Sequence, residues 1–148
     1  MGKYHLTEKA DLGVIYDADR SRYSAEEWKK FPSIATREFF ITFCRTKEYP
    51  TLGFSYDEKP IGGIIFDGQT VHLAVLPEHY GKWGVLWIKA LRWILAQKDP
   101  IEIKIEAGNE KMHRFMERNN CLKIQEEANF VTYLGSSKTT PYYSRYRE

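Results

Sequence analysis

A turn with two glycines in seven residues, EHYGKWG (Glu78–Gly84), joins two segments of opposite character. Before it lies a strand-like run, QTVHLAVLP (69–77), and after it a long apolar helical run, VLWIKALRWILAQ (85–97). A turn from a strand end into a helix start presents several backbone N–H groups at one spot. Together with the positive end of the helix dipole, such groups form an anion site. A phosphate-bearing cofactor is the ligand class this chemistry fits. A second strand, IEIKIEA (101–107), and a second helix opening at Asn109, NEKMHRFMERNN, complete the segment from Gln69 to Asn120.

The rest of the chain must position that turn. Lys3–Thr7 reads as a short strand and Glu8–Ala18 as a helix. Ser24 and Glu27 form a capping-box pattern that starts a helix at Ala25, and Pro32 interrupts it. A further helical stretch follows Ser33, with Ile34, Phe39, Phe40 and Phe43 on its apolar face. That face reads as core, or as the lining of an acceptor cleft. A meander follows: strand Leu52–Tyr56, turn Asp57–Pro60, strand Ile61–Phe66, turn Asp67-Gly68 and strand Gln69–Leu76. Gly62-Gly63 inside the second of these strands predicts a bulge or a close approach. The Val85–Gln97 helix turns Leu86, Ile88, Leu91 and Leu95 inward. Alternation of Ile101, Ile103 and Ile105 with charged residues predicts a half-buried strand. Asn109 is a good N-cap, and Asn119-Asn120 suits a left-handed C-terminal cap. Ala128–Leu134 is the last long strand, and a short extra strand fits near Cys121–Ile124.

This order of elements predicts one α/β domain over residues 1–135, a mixed sheet flanked by helices, then a polar, Tyr-rich tail at 136–148. The tail offers Tyr and Arg side chains to a homodimer or another assembly partner; the competing reading is a disordered end. A net charge of +2 with scattered basic residues gives no basic stripe and argues against a nucleic-acid partner. Lys89 and Arg92 interrupt the longest apolar run, so no membrane span is expected. No secretory leader is read at the N-terminus. Cys44 and Cys121 lack a metal-binding or redox spacing, and they read as two reduced thiols of a cytoplasmic protein with no metal site.

The element order resembles that of the Gcn5-related N-acetyltransferase (GNAT) superfamily, whose sheet is an antiparallel meander followed by a parallel strand pair. The closest local likeness is the run Asn109, Met112, Phe115, Met116, then Asn120-Cys121, with its Glu117-Arg118 pair. LAVLPEHYGK is similar to the family's strand entering its pyrophosphate loop, and Pro60–Gly63 to its strand after the hairpin turn. The resemblance implies an acetyl-coenzyme A-dependent N-acyltransferase acting on an amine of a small molecule or a protein. It implies that Leu73, Ala74, Val75 and Leu76 face the pantetheine. It also implies that Tyr80, Gly81, Lys82, Trp83, Gly84 and Val85 hold the pyrophosphate, with Asn109 as a further cofactor residue. His72, on the strand before the loop, is the implied base, beside Gln69, Glu78 and His79 as other choices; Tyr133, on the last strand, is one candidate for a relocated acid. The sequence departs from the family pattern at three places. Trp83 and Val85 stand where the loop has glycines, and Met116 stands where the family has its acidic Tyr. Those departures keep a second reading open, a member without acyl transfer that serves binding or assembly, for example in a bacteriophage. Modification of nucleobases is a third.

Overall fold

The computed structural model describes residues 3–21, 26 and 36–138. Seven strands form one sheet: β1 (Tyr4–Thr7), β2 (Thr51–Tyr56), β3 (Lys59–Phe66), β4 (Thr70–Val75), β5 (Ile101–Glu106), β6 (Leu122–Glu126) and β7 (Phe130–Gly135). Their order is β1-β2-β3-β4-β5-β7-β6. β1/β2, β2/β3, β5/β7 and β6/β7 pair antiparallel, while β4 runs parallel to β5. Four α-helices lie among the described residues: α1 (Leu12–Arg20), α2 (Arg37–Lys47), α3 (Trp87–Gln97) and α4 (Glu110–Arg118). Two 3-10 turns, Pro77–His79 and Trp83–Leu86, separate β4 from α3. This is the α/β fold with a mixed sheet that the sequence predicts. The helix expected from Ala25 and the tail beyond Lys138 lie outside the described residues. No described helix is long and apolar enough to cross a membrane.

The chain divides into two compact units, Met1–Ile65 with Leu73–Leu86, and Phe66–His72 with Trp87–Glu148. In the first, Ile15, Ala18, Cys44, Ile65 and Ala74 form a buried cluster, against which Ala10, Leu12, Phe40, Tyr49 and Leu76 pack. α1 begins at Leu12, not Glu8, because the Asp11 carboxylate accepts the Val14 N–H at 3.1 Å and caps the first turn. The Ala10 N–H donates to Thr51 Oγ1 at 3.0 Å, outside any helix. α2 is capped by Thr36, whose hydroxyl accepts the Phe39 N–H, and ends at Glu48 in the left-handed region. Phe40 packs inward, but Phe39 and Phe43 stay exposed and stack on each other with centroids 6.1 Å apart. The inward face expected of all three therefore holds for Phe40 alone; Ile34 is outside the described residues.

The β2–β3 turn is tighter than the four residues expected. Asp57 and Glu58 both take positive φ, 50° and 68°, as a two-residue hairpin turn with the right twist requires. Lys59 and Pro60 accordingly belong to β3, and a register shift between Phe54 and Ser55 absorbs the extra residue. At Gly62, an added Cβ would sit 2.2 Å from the Ala74 carbonyl oxygen and 2.8 Å from Val75 Cα. Only glycine lets β3 lie this close to the end of β4.

In the second unit, Ile101, Ile103 and Ile105 are buried along β5, as the alternation predicts. α3 starts at Trp87, two residues later than expected, and buries Trp87, Ala90, Leu91, Ile94 and Leu95. Trp87 meets Phe115 of α4 edge to face at 5.2 Å. Asn120 adopts φ 58°, the left-handed cap the sequence predicts, and the Cys121 N–H then closes onto the Met116 carbonyl. The short strand suspected near Cys121 is β6, an exposed edge strand. Both cysteines are free and buried, and burial pushes the Cys121 thiol up to about 11.

Candidate functional site

The turn after β4 lies wholly in the first unit. The Leu76 N–H donates to the Ile61 carbonyl at 2.8 Å, which fixes the strand end against β3. Pro77 then forces the chain into a 3-10 turn. Within it, the Tyr80 N–H donates to Pro77 O at 3.1 Å and the Lys82 N–H to His79 O at 3.0 Å. Two of the amides expected to hold a pyrophosphate are thus spent inside the turn. Gly81 is different. It adopts φ 79°, a Cβ there would meet nothing within 4 Å, and its N–H has no partner among the described residues. Tyr80, Lys82, Gly84 and Val85 are exposed, Val85 at 75%. Leu73 and Leu76 are half-buried; the side chains of Ala74 and Val75 point into the core.

Trp83 does not project from the turn. Its side chain is 5% exposed, and its ring stacks on Phe54 of β2 with centroids 5.4 Å apart and planes inclined by 23°. The ring is therefore a wedge holding the turn to the core. A second anchor was not legible in the sequence. His79 Nδ1 lies 3.0 Å from the Tyr4 hydroxyl, and the His79 ring packs on Tyr4 and Tyr56, with centroids 5.6 and 5.0 Å away. His79, one of the alternative bases, is thereby committed to tying the turn to β1 and β2.

The second unit holds two histidine clusters. His72 is half exposed, and its Nε2 lies 2.8 Å from Asp67 Oδ2. Asp67 occupies the β3–β4 turn and accepts three further bonds, from the Gln69 N–H, the Thr70 N–H and the Thr70 hydroxyl. Burial alone would raise its pKa. The bonds from Thr70, His72 and Gln69 outweigh burial and hold the carboxyl well below the usual carboxylate range. His72 Nδ1 has no partner among the described residues, and the side chain is about half exposed.

His113, on α4, forms the other cluster. Its Nε2 lies 2.9 Å from the Ala107 carbonyl oxygen, so Nε2 carries the proton and donates. Nδ1 is then an acceptor, and the Tyr133 hydroxyl donates to it at 2.8 Å. Tyr133 is 1% exposed. Burial raises its pKa, and the carboxylates of Glu117 and Glu110 add to the shift. Asn109 caps α4 through its side-chain oxygen, which accepts the Met112 N–H. Met116 is fully buried packing.

Strand register separates the two catalytic candidates. Val71 pairs with Ile103, and Ile103 pairs with Tyr133, so these three side chains share a face of the sheet. His72, one residue on from Val71, projects from the opposite face. His72 and Tyr133, the candidate base and the candidate acid, therefore project from opposite faces of the sheet. The Asp67–His72 and His113–Tyr133 contacts were missed because each joins residues on elements whose side-chain directions only the fold sets.

The sequence matches no protein-family model and no curated protein. Solved structures are similar in fold. A PaiA N-acetyltransferase from Thermoplasma acidophilum, in complex with coenzyme A, superposes with a TM-score of 0.66 at 15% identity, covering 88% of this chain and 98% of that one. Apo FdhC, a nucleotide-linked sugar GNAT, gives 0.65 at 18% identity over 99% and 90% of the two chains. The yncA protein of Salmonella typhimurium, with its cofactor acetyl-CoA, gives 0.58 at 18% over 90% and 91%. With its meander, its single parallel pair β4/β5 and this likeness along nearly the whole length, the chain has the fold of the Gcn5-related N-acetyltransferases.

Proposed function

We propose that this protein is an acetyl-coenzyme A-dependent N-acyltransferase that acts on an amine of a small molecule or a protein. The observation that carries the reading is the direction of Trp83. Its ring is turned onto Phe54, so the turn keeps an open outer side in spite of the missing glycine. The fold is shared with proteins solved with coenzyme A or acetyl-CoA, which supports the same ligand class here.

The residues present fit that ligand. The Gly81 N–H and the exposed Lys82 ammonium would take phosphate oxygens, with the exposed Gly84 beside them. The backbone of Leu73–Leu76 would run along the pantetheine, and Asn109 would add its side-chain amide N–H. Tyr80 and Trp83 would contribute backbone position only. The cofactor supplies an acyl group activated as a thioester. His72 is the base in this reading: Nδ1 takes a proton from the attacking amine nitrogen as that nitrogen bonds to the acyl carbon and the carbon–sulfur bond breaks. The electron pair leaves with sulfur. A thiol of this kind ionises near pH 8.5, so its thiolate leaves at neutral pH with little help from an acid. That is consistent with Met116 at the family's acid position and with a Tyr133 hydroxyl already committed to its hydrogen bond with His113.

Amine-dependent release of free thiol from acetyl-coenzyme A tests the proposal, assayed with small primary amines, amino acids and lysine-containing peptides. The expected result is thiol release that requires one class of amine and yields acetylated product by mass spectrometry. Release that never depends on an amine would remove N-acyl transfer from the account.

A further inference from the structure

Asp67 has no role in the reading above, yet it is the best-satisfied polar side chain near the proposed base. It receives the Gln69 N–H at 2.9 Å, the Thr70 N–H at 2.8 Å and the Thr70 hydroxyl at 3.1 Å, which fix its carboxylate in one orientation. The remaining interaction is with His72 Nε2 at 2.8 Å. A carboxylate is an acceptor only, so the imidazole must carry its proton on Nε2. Nδ1 is then the lone-pair nitrogen, with no partner among the described residues. Thr70 Oγ1, at 3.4 Å from Nε2, adds only a peripheral contact.

We propose that Asp67 is a positioning residue for His72: it holds the imidazole in the tautomer whose Nδ1 can accept a proton, and it stabilises the imidazolium that results. This rests on His72 being the base of the acyl transfer proposed above. Proton gain at Nδ1 makes both ring nitrogens donors, and the Nε2–H remains bonded to a charged acceptor throughout, which strengthens as the ring becomes positive. Other charged groups share that face. Glu102, the register partner of Thr70, and Lys104, two residues on, project from β5 to the same side with opposite signs. Asp67 is the one in contact with the ring. The turn explains how the device is built. Asp67 precedes Gly68, whose φ of 97° folds the chain so that the carboxylate meets residues two, three and five positions on.

Asp67→Asn is the discriminating variant. The Asn oxygen can still accept the Gln69 and Thr70 amides, so the turn survives, but its NH2 group now faces His72 Nε2. The ring must then present Nε2 as acceptor and protonate Nδ1, the wrong tautomer for a base. Nitrogen-15 NMR of the His72 ring in the full chain reads this without any substrate. Protonated Nε2 is expected in the native protein and protonated Nδ1 in the variant. The same tautomer in both would overturn the inference. Acyl transfer gives the second readout. Asp67→Asn should lower kcat by about 100-fold or more, the range of general-base contributions, with KM for acetyl-coenzyme A unchanged, and should shift the acid limb of the kcat/KM profile to lower pH. Activity and pH profile like those of the native protein would also overturn it. Should His72→Gln retain full activity while the NMR tautomers switch as expected, His72 is not the base and the proposed function loses that step; Asp67 would still orient the ring.

Discussion

Single side chains differ in whether they are already committed to partners. Tyr133 was legible as a candidate acid because it lies on the last strand, but nothing in the sequence pairs it with His113. A histidine within NEKMHRFMERNN reads as an ordinary polar helix residue; only the register of β5 and β7 brings α4's histidine to the hydroxyl. The pair is structural in this reading. Tyr133→Phe should cost about 1–3 kcal/mol, the range for stranding a buried acceptor, as read by urea unfolding. Its rate of acyl transfer should stay within about threefold of the native protein, since no transition-state contact is removed. A large loss of kcat with stability intact would restore Tyr133 as the acid.

At the element scale, the turn between β4 and α3 is where sequence pattern and structure diverge most. The sequence showed a strand, a glycine-containing turn and a helix, and those are present. It could not show that Lys82 and Tyr80 spend their amides within the turn, because 3-10 hydrogen bonding leaves no pattern over so few residues. Nor could it show that the bulky residue at a glycine position points inward, since one residue has no periodicity. The start of α1 slipped for a related reason: the run Glu8-Lys9-Ala10-Asp11 suits a first helical turn, and the choice of Asp11 as cap is made by its bond to Val14 and by Ala10's bond to β2. Trp83→Ala tests the turn. Loss of a buried Trp should destabilise the protein by about 3–5 kcal/mol in urea unfolding, and Trp83→Phe, which keeps the stack on Phe54, by clearly less. A stability loss under about 1 kcal/mol, with tighter coenzyme A binding, would mean the ring covers the ligand side of the turn.

At the scale of the whole molecule, the fold was more legible than the site. Three periodic signals gave it: the meander with its turns, the alternating isoleucines of β5, and the caps at Asn109 and Asn120. Each is enforced over several residues by burial or by a cap, so a single departure does not erase it. A site depends on single residues, and Trp83, Met116 and Val85 were enough to leave its activity open. Acetyl-coenzyme A binding, on which the proposed transfer depends, is read by thermal unfolding of the full chain with increasing ligand. At a ligand concentration of about 100 times Kd, binding adds about 2.7 kcal/mol, and Tm should rise by several degrees and keep rising with ligand. An unchanged Tm at millimolar acetyl-coenzyme A would contradict the account.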